Sequence, residues 1–337
     1  MIPTLLGVMT ITFVIIQFVP GGPVEQVLYQ LKGRNAMTEA GGGSSPQKNN
    51  EIDAQQLQEL RTLYGFDKPP LERFVMMIKR FAVFDLGESY YHHKSVLELV
   101  KSKLPVSISL GLWSFFLTYL ISIPLGIKKA VRAGSRFDFI SSLVILIGYA
   151  IPGFVLGVLL LVLFGGGSFW QLFPLRGLTS ENWEQLSLIG KVIDYLWHLV
   201  LPITAYVIGS FAVVTILTKN VFLEEIGKQY VLTARAKGLS EKSVLWRHIF
   251  RNAMIPLVTG FPAAFIGAFF TGSLLIETLF SLDGLGLLSY EAVIRRDYPV
   301  VLGTLYLFTL IGLVVRLFSD LCYVLVDPRI QFSAMTR

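Results

Sequence analysis

The sequence predicts an all-α membrane protein of six transmembrane helices, with a small helical insertion on the outer face after the first helix. Three observations carry this. Only 15% of the 337 residues are charged and 53% are hydrophobic, whereas soluble domains average about 25% charge. Six stretches offer the roughly 20 mainly apolar residues that a helix needs to cross the hydrocarbon: 1–19, 104–127, 137–164, 199–218, 255–279 and 300–326. The ten-residue alternation of an outer-membrane barrel is absent. The same composition excludes disordered, collagenous and disulfide-rich secreted chains, and the lone Cys322 allows neither an internal disulfide nor a thiolate metal cluster. A net charge of +6 then reads as a face toward membrane lipid and cytoplasm, not as a nucleic-acid surface.

Residues 1–19 lack a basic leader and a small-residue cleavage site, and they run into Pro20-Gly21-Gly22-Pro23, so this span is read as a retained helix. The chain starts inside it, with no basic residue before Ile2. Either its start lies upstream or the later loops set the topology. The insertion, 20–103, is too long for a simple loop. Gly41 to Pro46 has linker composition. Ile52, Leu57, Leu60 and Leu63 fall on helical spacing before Gly65. Pro69-Pro70 opens a second amphipathic stretch with Leu71, Phe74, Val75, Ile78 and Phe81. Ser95 and Glu98 make a capping box before the second span. Adjacent His92 and His93 do not face one way on a helix or strand and are a poor metal site.

The remaining chain, 104–326, is a five-helix core. Seven of the fifteen prolines sit in or beside spans: Pro3, Pro105, Pro124, Pro152, Pro202, Pro256 and Pro262. Each removes a backbone donor and favours a bend. With both termini inside, segments 128–136, 219–254 and 327–337 hold 13 Lys and Arg in 56 residues, against 4 in 54 for segments 165–198 and 280–299. That asymmetry sets N-in, C-in. Ionisable groups within spans are few. Arg316 and Asp320 are four apart and are expected to pair. Glu277, near the outer end of the fifth span, is open between an outer gate and an interfacial residue. So few buried charges argue against an ion-coupled relay or a charged filter, and energy is expected to enter from outside the spans.

Segment 219–254 is the most informative. Tyr230, Val231 and Ala234 are the apolar positions of a short helix whose last turn holds Arg235 and Lys237. Gly238 supplies the stop. Ser240 caps a second helix with Glu241 in its first turn and Leu245, Ile249 and Phe250 on its apolar face. Pattern alone leaves open a basic hairpin resting on lipid headgroups.

The run from Tyr230 to Pro256, YVLTARAKGLSEKSVLWRHIFRNAMIP, resembles the coupling loop of ABC-transporter permeases of the dipeptide and oligopeptide uptake class. The resemblance extends along nearly the whole chain, through Gly65–Pro69, Asp85–Ser89, Leu104–Ser107, Ser122–Gly126, Ser273–Glu277, Leu282–Gly286 and Asp327–Arg329. The Glu-Ala-Ala that opens the general permease motif is replaced by Leu232, Thr233 and Ala234, which removes any role for that glutamate. The basic residues usual before the first span are also missing.

The resemblance implies a type I ABC importer permease fold in the bacterial inner membrane. It also implies a second homologous permease, cytoplasmic ABC ATPase subunits, a periplasmic peptide-binding protein and a peptide substrate. It puts Ala234, Lys237, Gly238, Leu239, Ser240 and Glu241 in a groove on the ATPase. The chain lacks a phosphate-binding Gly-x4-Gly-Lys-Ser/Thr loop, so ATP and Mg are expected in the partner and this chain is not expected to be an enzyme. The competing readings are an ion-gradient-driven secondary peptide transporter and a membrane anchor for a cytoplasmic enzyme.

Overall fold

A computed structural model describes residues 1–18, 68–166, 169–270 and 274–326. The helix expected over 52–65, the linker at 41–46 and the tail 327–337 lie outside the described residues. The described chain is helical: α1 Ile2–Phe18, α2 Pro70–Ala82, α3 Val96–Val131, α4 Arg136–Ala150, α5 Gly153–Phe164, α6 Leu188–Ile226, α7 Gln229–Ala236, α8 over 241–253, α9 Ile255–Phe270, α10 Leu274–Leu279, α11 Leu285–Ile294 and α12 Tyr298–Val326. Two compact units emerge. One comprises Met1–Ser102 and Leu288–Ile311, the other Lys103–Leu287 and Gly312–Arg337.

In the first unit α1 meets α2 through an edge-to-face pair, Phe13 on Phe74 at 5.3 Å, and a hydrogen bond from Arg73 to Gln17. Pro70 opens α2, where a missing N–H costs nothing, and the ring of Phe81 on its apolar face packs at a tilt of 58° against Tyr306 of α12, 5.1 Å between centroids. The Asp85–Ser89 turn is pinned by Arg80, whose Nε donates to Asp85 at 2.7 Å. Buried Asp297, at the start of α12, accepts from Ser89 Oγ and from Tyr90 N–H. Ser95 caps α3 as expected, its hydroxyl accepting from Glu98 N–H at 3.2 Å.

In the second unit α3 buries a stripe of small residues at steps of three or four: Ser107, Gly111, Ser114, Thr118, Ser122 and Gly126. Small side chains let helices approach closely. Ser122 Oγ donates to the Phe211 carbonyl of α6 at 3.1 Å, and a Cβ on Gly126 would sit 2.6 Å from Thr218. An apolar core of Leu110, Leu199, Leu201, Ile276, Phe280 and Leu282 lies beside this contact.

Several expected bounds change. Helix α3 begins at Val96 and is 36 residues long, so its first two turns belong to what reads as insertion. Helix α6 runs for 39 residues and absorbs the start of segment 219–254. The expected third span is two helices bent by 94°. Pro152 cannot donate and pushes Ile151 to an extended ψ of 119°. Segment 280–299 contains α11. Three described helices are long and apolar enough to cross a membrane: Val96–Val131, Leu188–Ile226 and Tyr298–Leu321. The bent α4–α5 pair passes jointly, and Ile2–Phe18 and Ile255–Phe265 are shorter apolar helices at two further expected spans.

Candidate functional site

Helices α7 and α8 form one folded element over 229–253. Their undersides close a core in which Val231 and Ala234 of α7 and Val244, Ile249 and Ala253 of α8 pack on Ile127 and Ala130 of α3 and Phe222 of α6. Burial of this apolar face holds two short helices that would not persist alone in water. The start of α7 is tied to the end of α6 by Glu225, which accepts from Tyr230 Oη at 2.6 Å and pairs with Lys228. Glu225 and burial together raise the Tyr230 phenol above its ordinary value, burial being the larger cause. Within α8 the backbone is π-helical over Val244–Ile249, an insertion frequent at functional positions.

The turn between the helices is built as its residues suggest. Gly238 has φ +78°, in the left-handed region where a side chain is strained. Gly238 N–H bonds the Arg235 carbonyl at 2.9 Å and Leu239 N–H the Ala234 carbonyl at 3.3 Å. Ser240 caps α8, accepting from Ser243 N–H. Arg235 then spans the turn and grips Glu241 with both ends of its guanidinium, at 2.8 and 3.0 Å. This bond holds the Glu241 carboxyl below its ordinary range.

Of the six residues expected at a partner's surface, Lys237, Gly238, Leu239, Ser240 and Glu241 are exposed together. Ala234 is not. It is 5% exposed and belongs to the internal core, because the apolar i, i+3 pair Val231 and Ala234 faces the chain's own helices. Leu232, half exposed, takes the outward position instead.

A second constellation escaped the sequence reading. Asp138, in the first turn of α4, accepts from Lys219 of α6 at 2.7 and 2.8 Å and pairs with Lys129 of α3 at 3.1 Å. Lys129 is 1% exposed and also donates to the Asp138 carbonyl, Ser141 and Ser142. The ends of α3, α4 and α6 thus meet on one carboxylate, and Lys129 lies next to Ala130 and two residues from Ile127, which support the α7–α8 element. The signal available was Lys129 at a span end with an acid opening the next helix. Its meaning depends on Lys219, 81 residues away.

Glu277, which the sequence leaves open between an outer gate and an interfacial residue, is held inside the chain. It is fully buried and its carboxylate closes the start of α11. Leu287 N–H donates to Oε2 at 2.7 Å and Gly286 N–H bonds the same group. Leu285 N–H is taken by Ser107 Oγ at 2.9 Å, while Lys103 pairs with Asp283. Gly284 permits this, since a Cβ there would lie 2.7 Å from the Glu277 carboxyl carbon. Described residues of three separated motifs, within 104–107, 274–277 and 282–286, so form one joint. Arg316 and Asp320 do not pair. Both are exposed on α12 and no ion pair joins them. Helical spacing permits a pair, but at an exposed face nothing offsets the entropy of holding two long side chains together.

Among known proteins, residues 122–332 match the family described as "Binding-protein-dependent transport system inner membrane component". The chain is 55% identical to the "Peptidoglycan transport system permease protein YejB" of Agrobacterium fabrum (strain C58 / ATCC 33970), over 99% of this chain and 96% of that one. It is 53% identical to the "Inner membrane ABC transporter permease protein YejB" of Escherichia coli O157:H7, over 98% and 96%. To the dipeptide transport system permease protein DppB of Escherichia coli (strain K12) it is 34% identical, over 98% and 96%. Among solved structures, a chain of the MetNI methionine ABC transporter in an inward-facing conformation shares the fold at TM-score 0.51 and 18% identity, covering 68% of this chain and 97% of that one.

Proposed function

We propose that this chain, which belongs to the family of binding-protein-dependent transport system inner membrane components, is the permease subunit of an ATP-driven peptide importer and forms half of its translocation pathway. It is a multi-pass inner-membrane protein, and the Lys and Arg asymmetry supports an N-in, C-in orientation. On this reading a second homologous permease stands beside it, an ABC ATPase binds ATP and Mg below it, and a peptide-binding protein delivers substrate above it. Its relatives serve dipeptide and peptidoglycan transport, which share the peptide as common chemistry.

The observation that carries the proposal is the exposed turn at 237–241 standing on a core shared with α3 and α6. A partner shifts a two-state equilibrium only by contacting the two states differently. An ATPase that grips Lys237 to Glu241 pushes on Val231, Ala234 and Val244, and through them on Ile127, Ala130 and Phe222. Asp138 extends that connection to α4, so three helix ends receive one displacement. The secondary-transport alternative would need an ion relay, whereas Glu277, Asp138, Lys129 and Lys219 are each held in a contact between helices.

The test is the assembled transporter with single cysteines at 237 or 240. Crosslinks to the ATPase subunit are expected from both. Substrate-stimulated ATP hydrolysis is expected to disappear in Gly238→Val while the chain remains inserted. Peptide uptake that continues with an inactive ATPase but collapses with the proton gradient would overturn the reading.

A further inference from the structure

In the second unit α3 and α6 both contribute hydroxyl-bearing residues to the lining of one hollow. Ser114, Thr118 and Tyr119 from α3, Tyr206 and Ser210 from α6 and Tyr149 from the end of α4 line a hollow of about 590 Å³. Ser114 with Thr118 and Tyr206 with Ser210 are i, i+4 pairs, so each helix presents its hydroxyls on one face. No described residue lining the hollow is charged.

Ser114 stands out within it. Hydroxyls inside membrane helices usually return a bond to a carbonyl one turn back. Thr215 and Thr218 do so here, at 2.7 Å each. Ser114 is 4% exposed, and its Oγ is buried with no hydrogen-bond partner. Buried polar groups left unpaired are few and call for a reason. A hydroxyl both donates and accepts, which matches a group that offers one N–H and one C=O per residue. The tyrosine rings cover apolar side chains, and a neutral lining neither attracts nor repels charged ones.

Resting on the importer reading above, we infer that this hollow is the surface of the chain that meets the peptide in passage, and that it holds the peptide by main-chain N–H and C=O groups and not by side-chain charge. Such a surface lets one pathway carry peptides of differing sequence and leaves side-chain selection to other subunits.

The test uses the assembled transporter in vesicles, with the tripeptides Ala-Ala-Ala, Ala-Glu-Ala and Ala-Lys-Ala and with Ala-Ala-Ala carrying an ester in place of its first amide. A Cβ at Gly209, which lines the hollow, meets open space, and leucine is the better helix former. Gly209→Leu therefore fills the hollow while the complex assembles at wild-type yield, and uptake of all three tripeptides is expected to fall about tenfold. Removing hydroxyls with Ser114→Ala and Ser210→Ala is expected to lower uptake about fivefold for each bond lost, equally for the three peptides. The ester is expected to lower uptake in wild type and to add nothing in the double alanine variant, since both changes remove the same bond.

Unchanged uptake in Gly209→Leu, a loss that follows peptide charge, or additive losses with the ester would each overturn the inference and leave the importer reading standing. A wild-type complex that takes up no tripeptide would remove both.

Discussion

Two joints in the second unit are each built from a glycine and a carboxylate, and they differ in what holds them. At 277–287 the carboxylate is fully buried and bonds backbone N–H groups at the start of α11, while Gly284 presses against it. At 235–241 the carboxylate is exposed and meets a guanidinium across a turn whose shape comes from Gly238. In the first, removing the acid strands donors away from water. In the second, water replaces the lost bond, and the geometry persists because Val231, Ala234 and Val244 are packed beneath it. A charged residue close to a glycine is thus structural at one joint and available to a partner at the other.

The largest effect is expected outside both joints, at the buried ion pairs of Asp138, which set the upper limit for the comparison. Asp138→Ala would leave Lys129, at 1% exposure, without its counterion, which costs about 3–5 kcal/mol. The chain is expected to be lost from the membrane, whereas Lys129→Met, which keeps the Lys219 pair, is expected to be tolerated better. Immunodetection of the membrane fraction reads both. Equal loss in the two would show that Asp138 is not held by the lysine pair.

Glu277→Ala comes next, at about 1–3 kcal/mol for donors left unpaired at Gly286 and Leu287. Glu277→Gln keeps an acceptor and is expected to cost less, and Gly284→Ala to reproduce the damage by steric means. The melting temperature of the purified complex orders the three. A glutamine variant as unstable as the alanine one would assign the stability to charge instead of acceptance.

Gly238→Val is expected to cost about 1–3 kcal/mol, the strain of a side chain at positive φ. Its functional effect is expected to be larger, because the strained turn no longer presents 237–241. Insertion should persist while uptake and substrate-stimulated ATP hydrolysis fail. Uptake at wild-type level would demote the turn to a lipid-facing hairpin.

Arg235→Ala is expected to leave the melting temperature unchanged, since both partners of that pair are solvated. Its signature is in pH. Arg235 depresses the Glu241 carboxyl from its ordinary 4.5, so the pair contributes above that value and is lost as pH falls through the depressed one. Coupling in wild type should therefore hold from neutrality down through pH 4.5 and decline only below it. Arg235→Ala should move the acid decline upward. A decline at the same pH in both would show that another group sets it.

Much of the α7–α8 element was legible because its signals are local. Gly238 as a stop, Ser240 as a cap and the apolar spacing of Val231, Ala234, Leu245 and Ile249 all act within a turn or two of chain. The same locality misled at Ala234, where spacing identifies a face but not what covers it. It misled again at Arg316 and Asp320, where neighbours on a helix need not touch.

Composition and apolar length determined by themselves that this is a helical membrane protein, because crossing hydrocarbon is a requirement on each segment separately. The bend at Pro152 is also local, and the proline was visible, but whether a proline breaks a helix depends on what packs around it. Helix α3 runs through Pro105 and Pro124, while α4 ends before Pro152. Only the tertiary structure decided the rest. Ser107 reaches Leu285 across 178 residues, Asp138 reaches Lys219 across 81, and the hydroxyls of α3 and α6 share one hollow. Such bonds join atoms that chain order leaves far apart, and they form only once the apolar faces have chosen their partners.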